Sequence, residues 1–250
     1  MKATDENKTG LTRRTMLGSG MVGLAAASGA SLGGAAYAAD PVDPANPAAS
    51  ELSPDHALKM LKQGNRDFLA GRTPATDPDG RRRLEIARSQ SPFAVLVSCS
   101  DSRVPPELLF GRGLGELFII RNAGNTIDTV AMGSLEYAVA ELKVPLVVIM
   151  GHERCGAVAA AVSVVEQGTI FPGSIGQMVE PIIPAVLQAR RNKAEDLLDA
   201  SVRTNVQRTV TRLREHAEPM ILERVQSGQL KIVGARYDLD DGSVDFFDEG

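Results

Sequence analysis

The 250-residue chain has no tryptophan, two cysteines and three histidines, and aromatic residues make up 4% of it. Two cysteines exclude a disulfide-dense scaffold: the chain can close one disulfide or offer one pair of sulfur ligands. An excess of positive charge is also missing. Lys and Arg number 27 against 31 Asp and Glu, a formal net charge of −4, with both signs mixed along the chain. Nucleic-acid binding, which needs a clustered basic face, is therefore not expected. No internal repeat is present. What the chain does have is 43% hydrophobic residues and enough length for one sizeable α/β core.

The first forty residues do not read as fold. Thr12-Arg13-Arg14-Thr15-Met16-Leu17 is a twin-arginine start, followed by a weakly apolar, Gly- and Ala-rich run from Leu17 to about Ala35. Ala36-Tyr37-Ala38 then offers small residues at the two positions a signal peptidase reads. The expectation is a signal peptide over 1–38, cleaved after Ala38, and a periplasmic protein exported already folded. The run is too rich in Gly and Ala to make a good membrane anchor, so no stable anchor is expected. Cleavage would remove four of the 27 basic and two of the 31 acidic residues, leaving a net charge of −6 and still no basic face. Residues 39–51 are Pro- and Ala-rich and read as a linker. Residues 52–250 then form one catalytic domain with an N-terminal helical arm.

The order of apolar runs sets the fold class. Ser53-Pro54 opens a helix whose apolar side (Leu58, Leu61, Phe68, Leu69) is interrupted at Gly64-Asn65, an arm expected to pack outside the main sheet. Residues 93–98, 116–120, 146–150 and 230–235 are short apolar runs with helical stretches between them, the rhythm of parallel strands buried on both faces. Asp128 caps a helix reaching Leu142, with apolar positions at Val130, Leu135, Val139 and Leu142. Residues 194–217 are amphipathic, and Asp241-Gly242 turns the chain into a last strand over 243–247. The expected architecture is α/β: a mainly parallel four-stranded sheet with an antiparallel edge strand, flanked by helices.

Both cysteines fall at the ends of strand-like runs, where open α/β sheets place their chemistry. Cys99-Ser100-Asp101-Ser102-Arg103 follows the first run, and Gly151-His152-Glu153-Arg154-Cys155-Gly156 follows the third. Alternate residues of an extended chain share a face, so Cys99, Asp101 and Arg103 can point one way. His152 and Cys155 are three apart, close enough for one metal ion. Cys99, His152 and Cys155 together supply the thiolate and imidazole donors zinc favours, with a fourth position left open. Two other readings stand at this point: a disulfide between Cys99 and Cys155, or a closed structural zinc site. Asp101 and Arg103 likewise read either as a loop-fixing ion pair or as a catalytic dyad, and Asp101 can also serve as a fourth metal ligand in a closed state.

Cys-Ser-Asp-Ser-Arg at 99–103, Arg-Asn-Ala-Gly-Asn at 121–125, Ser-Leu-Glu-Tyr-Ala-Val at 134–139 and Gly-His-Glu-Arg-Cys-Gly at 151–156 together resemble the β-class carbonic anhydrases, over roughly Leu52 to Phe247. The resemblance implies reversible hydration of carbon dioxide to bicarbonate and a proton by zinc-bound hydroxide, with one Zn2+ per chain. It assigns Cys99, His152 and Cys155 as zinc ligands and Asp101 and Arg103 as the dyad that orients the nucleophile. It places Gln90, Phe118, Ala123 and Tyr137 in the substrate pocket, with Gly124 and Gly156 beside them. In the family the glutamine and the wall residues come largely from a neighbouring subunit, so a homodimer or a tetramer of dimer type is implied. Carbonyl sulfide or carbon disulfide hydrolysis on the same scaffold is the alternative activity. One departure stands out. Some bacterial members carry a tryptophan three residues before the first cysteine to build an inhibitory bicarbonate site; here that residue is Leu96. The open-site form is therefore expected to be easier to populate.

Overall fold

A computed structural model describes residues 52–72 and 80–250. The twin-arginine start, the cleavage-like site and the linker fall outside the described residues. Four strands run parallel or are paired in parallel: β1 (Ala94–Ser98), β2 (Leu117–Arg121), β3 (Leu146–His152) and β4 (Lys231–Tyr237). A fifth, β5 (Val244–Asp248), pairs antiparallel with β4, and the strand order is β2-β1-β3-β4-β5. Every residue of β1 and β3 is buried, which is why these strands read as unbroken apolar runs rather than as alternation.

Helices cover both faces. Odd-numbered β1 and β3 residues (Val95, Val97, Val147, Ile149) pack with α4 (Thr129–Ala140), α8 (Leu197–Glu215) and α9 (Pro219–Gln226). Even-numbered ones (Ala94, Leu96, Leu146, Val148) pack with α1 (Pro54–Leu69) and the short α3 (Pro106–Leu109). A third cluster encloses Cys99 and Cys155 beneath α5 (Gly156–Gln167), α6 (Gly173–Val179) and α7 (Ile183–Arg191). One further helix, α2 (Gly80–Ile86), lies before β1. Among the described residues no helix is long and apolar enough to cross a membrane.

The expected architecture holds, with informative differences. Strand β3 runs two residues past its expected end because Gly151 and His152 pair with Arg236 and Tyr237 of β4. His152 is thus held by the sheet itself. The arm is part of the core: Ala57, Leu58 and Leu61 of α1 are buried against the sheet. Gly64 and Asn65, where the apolar side of α1 is interrupted, are buried as well. Those two residues are its docking point. A Cβ at Gly64 would lie 1.9 Å from the Phe110 carbonyl oxygen, so only glycine lets the helix approach α3 this closely. Asn65 donates to the carbonyls of Leu109 (3.3 Å) and Gly242 (3.1 Å) and accepts from the Val244 N–H (2.9 Å). Val130 differs too: it is 78% exposed, while its neighbour Ala131 takes the core position.

The Gly64 contact makes the first prediction. Gly64→Ala sets a methyl against backbone that cannot move aside, and should cost about 1–3 kcal/mol in urea denaturation. A denaturation midpoint equal to wild type would contradict the close approach.

Candidate metal centre

Strand order places the site. From β1 the chain crosses to β2 on one side and later reaches β3 on the other, so the carboxyl ends of β1 and β3 flank the crevice where the order reverses. Ser98 of β1 sits opposite Met150 of β3, so Cys99 leaves the sheet beside His152. The chain then turns at Arg154, whose φ is +51°, and Cys155 stands just ahead of α5, its sulfur not used as a cap. All three side chains are buried. One donor atom from each of Cys99, His152 and Cys155 lies within 4.8 Å of the others, and the two sulfurs are 4.0 Å apart as free thiols.

The chemistry of this donor set fits a divalent cation. His152 Nδ1 lies 2.9 Å from the Glu153 carbonyl. A carbonyl only accepts, so the ring proton is on Nδ1 and Nε2 presents a lone pair. That Nε2 is buried and has no partner. The Cys155 contact and the Gly124 N–H (3.3 Å) hold the Cys99 thiol far below its ordinary range. The same sulfur contact, with burial, pushes Cys155 up. The pair gives up one proton readily and resists losing the second, because two anionic sulfurs 4.0 Å apart repel. A bound cation would remove that repulsion and occupy the free lone pair of His152.

Asp101 stands at the edge of this cluster. Arg103 grips it in a fork, Nε to Oδ1 at 3.0 Å and Nη2 to Oδ2 at 2.8 Å, while the Arg103 N–H donates to Oδ1 at 2.9 Å. The guanidinium holds the carboxyl far below the usual carboxylate range. Oδ2 lies 3.9 Å from the unpartnered His152 Nε2. Ala123 and Gly124 lie in a 3-10 turn over 123–125 beside Cys99. Gly156 is the first residue of α5, and a Cβ there would have no atom within 4 Å.

The other expected pocket residues are elsewhere in this chain. Phe118 is paired with Val95, four residues before Cys99, so their backbones are about 13 Å apart along the strand. Tyr137, 48% exposed on α4, packs near Phe118 with ring centroids 6.4 Å apart. Gln90 is exposed ahead of β1. Phe118 and Tyr137 lie together on the β2 side.

Three supporting residues escaped sequence reasoning. Arg121, which ends β2, donates to the carbonyls of Cys99 (2.9 Å) and Asp101 (2.6 Å) and so fixes the loop that carries both; it lies inside a quoted motif but had no role assigned. Glu153 offers the carbonyl that orients His152, and its own N–H donates to the Tyr237 carbonyl (2.9 Å). Its carboxylate accepts from the Leu239 N–H and approaches Arg236, which also pairs with Asp199 and Asp238. Asn205 of α8 donates to the Gly124 carbonyl (3.0 Å); its only signal was a polar residue at a core position of an amphipathic pattern.

Comparison with known proteins agrees with this geometry. The sequence matches the carbonic anhydrase family over residues 94–244. It is 42% identical over 190 residues to carbonic anhydrase 2 of Mycobacterium tuberculosis, covering 76% of this chain and 91% of the relative. It is 39% identical over 193 residues to a carbonic anhydrase of Mycolicibacterium smegmatis, covering 77% and 93%. A tetrameric β-carbonic anhydrase from Sordaria macrospora superposes with a TM-score of 0.60 at 26% identity, covering 74% of this chain and 94% of that one. The chain belongs to the β-class carbonic anhydrases, the enzymes that hydrate carbon dioxide.

The Arg236 network behind His152 makes a pH prediction. Asp238, gripped by Arg236 and by the N–H groups of Asp240 and Asp241, is held down at about 2. A depressed carboxylate stabilises the fold above its unfolded value and loses that contribution as pH falls through the folded one. Asp238→Asn should lower Tm by a few degrees at pH 7, and about half of the gap should be gone by pH 3. A gap that stays constant from pH 7 to pH 3 would exclude this linkage.

Proposed function

We propose that the chain carries out carbon dioxide hydration with one zinc ion held by Cys99, His152 and Cys155, and with Asp101 and Arg103 as the catalytic dyad. One observation carries the reading: an ionised carboxylate, anchored by a guanidinium, lies 3.9 Å from the one unpartnered nitrogen of a buried Cys-His-Cys cluster. Zinc, when bound, supplies Lewis acidity that lowers the pKa of a water molecule toward neutrality.

This chain's residues supply the rest. Two anionic sulfurs neutralise the formal charge of the ion and temper its acidity. His152, its proton committed to the Glu153 carbonyl, donates from Nε2 in a fixed ring orientation. Asp101 accepts a hydrogen bond from the attacking oxygen at Oδ2 and aims its lone pair at carbon dioxide. Arg103 keeps that carboxylate ionised and stops it from turning inward. The open space beside Gly156 leaves room for a small apolar substrate.

The second half of the pocket comes from a second copy of the chain. Phe118 and Tyr137 stand away from their own metal cluster, on the same side as exposed Val130, and Gln90 is exposed ahead of β1. A groove of about 300 Å³ runs between β2 and α4, lined by Phe118, Arg121, Val130 and Ser134 among others. A homodimer burying this side brings the three residues to the partner's site.

Two experiments test the reading. Purified protein should contain about one zinc per chain, and Asp101→Asn should keep the metal while losing at least about 100-fold in carbon dioxide hydration. Full activity in that variant would remove the dyad, and hydrolysis of carbonyl sulfide without carbon dioxide hydration would overturn the substrate. Light scattering should give a mass of two chains or a multiple of two, and Val130→Glu should shift it toward one chain. A monomeric, fully active wild type would overturn the shared pocket.

A further inference from the structure

We propose that Asn205 is a positioning residue for the metal centre: by holding the Gly124 carbonyl, it keeps the Gly124 N–H on the Cys99 sulfur and limits the charge that sulfur passes to the metal. The inference rests on the zinc reading above.

Helix α8 turns an apolar side inward, with Val202, Val206, Val210 and Leu213 buried. Asn205 breaks that side, 6% exposed among them. A buried amide costs stability unless it is hydrogen-bonded. Its Nδ2 donates to the Gly124 carbonyl at 3.0 Å. Gly124 in turn donates its N–H to Cys99 Sγ at 3.3 Å. The two bonds run in series from α8 to a sulfur ligand.

Gly124 needs an outside hold. Its φ is +68°, and a Cβ there would lie 2.7 Å from Ile182 Cδ1 and 3.1 Å from Ala157 Cβ. The position excludes a side chain, so the turn is left with its most flexible residue exactly where an N–H must stay aimed. The Asn125 N–H to the Asn122 carbonyl (2.9 Å) secures the turn on one side, and Asn205 secures it on the other. An N–H aimed at an anionic sulfur draws off part of its charge. A less charged sulfur leaves the metal more acidic. A purely structural Asn205 would stabilise the fold and leave the sulfur's electronic state alone, so the two roles separate by spectroscopy.

The test uses the full chain with cobalt(II) in place of zinc, in wild type, Asn205→Leu, Asn205→Asp and Thr209→Val. Thr209 donates to the Asn205 backbone carbonyl on the same helix (2.9 Å), so its variant perturbs α8 but keeps the amide. Losing the hold on Gly124 should move the sulfur-to-cobalt charge-transfer bands to lower energy in both Asn205 variants and in neither of the others. In the zinc forms, the pH inflection of carbon dioxide hydration should rise by about half a unit, and kcat/KM at pH 7 should fall about three-fold. Wild-type bands and inflection in a folded, loaded Asn205 variant would overturn the proposal. A measurement on wild type stands even where variants fail to fold. With cadmium-113 bound, the Gly124 amide proton should show scalar coupling to the metal through the N–H···S bond, and its absence would overturn the proposal. Wild-type cobalt protein lacking sulfur-to-metal bands would overturn the zinc reading itself.

Discussion

The site depends on the parallel pairing of β1 with β3. Ser98 lies beside Met150, and that register brings a cysteine from one strand end within reach of a histidine and a cysteine from the other. Neither strand carries the cluster alone, and the two cysteines are 56 residues apart in the chain. A register slip of one residue would turn Cys99 to the opposite face of the sheet. Both strands are buried along their whole length and covered on both faces, so burial fixes the register. The sheet therefore sets the three donors side by side.

Electrostatics then separates the roles of groups only a few ångströms apart. The two sulfurs share a proton because a second negative charge is unfavourable in a buried place, a conflict that a bound cation would relieve. Asp101 is also anionic and 3.9 Å from His152, but Arg103 satisfies both of its oxygens from the solvent side. The sulfurs are thus committed inward and the carboxylate outward. Arg121 holds both arrangements at once, since it binds the backbone carbonyls of Cys99 and Asp101 together.

Features written into local sequence were the legible ones. Unbroken apolar runs identified the buried strands, Ser53 and Asp128 marked helix starts where their side chains do cap, and two strand ends carrying cysteine located the cluster. Features that depend on a tertiary partner were not legible. Gly64 and Asn65 look like a gap in the apolar side of α1 until the Phe110 carbonyl and the β5 backbone are placed against them. Val130 fits a helical apolar pattern, but α4 packs against the sheet through Ala131 and Leu135. The reach of β3 through His152 depends on pairing with β4, a strand some eighty residues later. Phe118 and Tyr137 were placed in the pocket by resemblance, and only the register shows how far along the sheet they stand from their own metal cluster.

The Asp101–Arg103 pair also bears on whether the site stands open. To become a fourth ligand, Asp101 would have to give up three hydrogen bonds from Arg103, two from the guanidinium and one from the backbone. Something must repay that loss, and Cys99, His152 and Cys155 already offer a metal ion three donors. In a site with a neighbouring tryptophan pocket, a bound anion can do so. Here Leu96 is fully buried on the α1 face of the sheet, opposite the face Cys99 takes, in a close-packed cluster with Leu61 and Val148. A tryptophan would overpack that cluster. In this structure the fork is intact, and Asp101 keeps all three hydrogen bonds from Arg103.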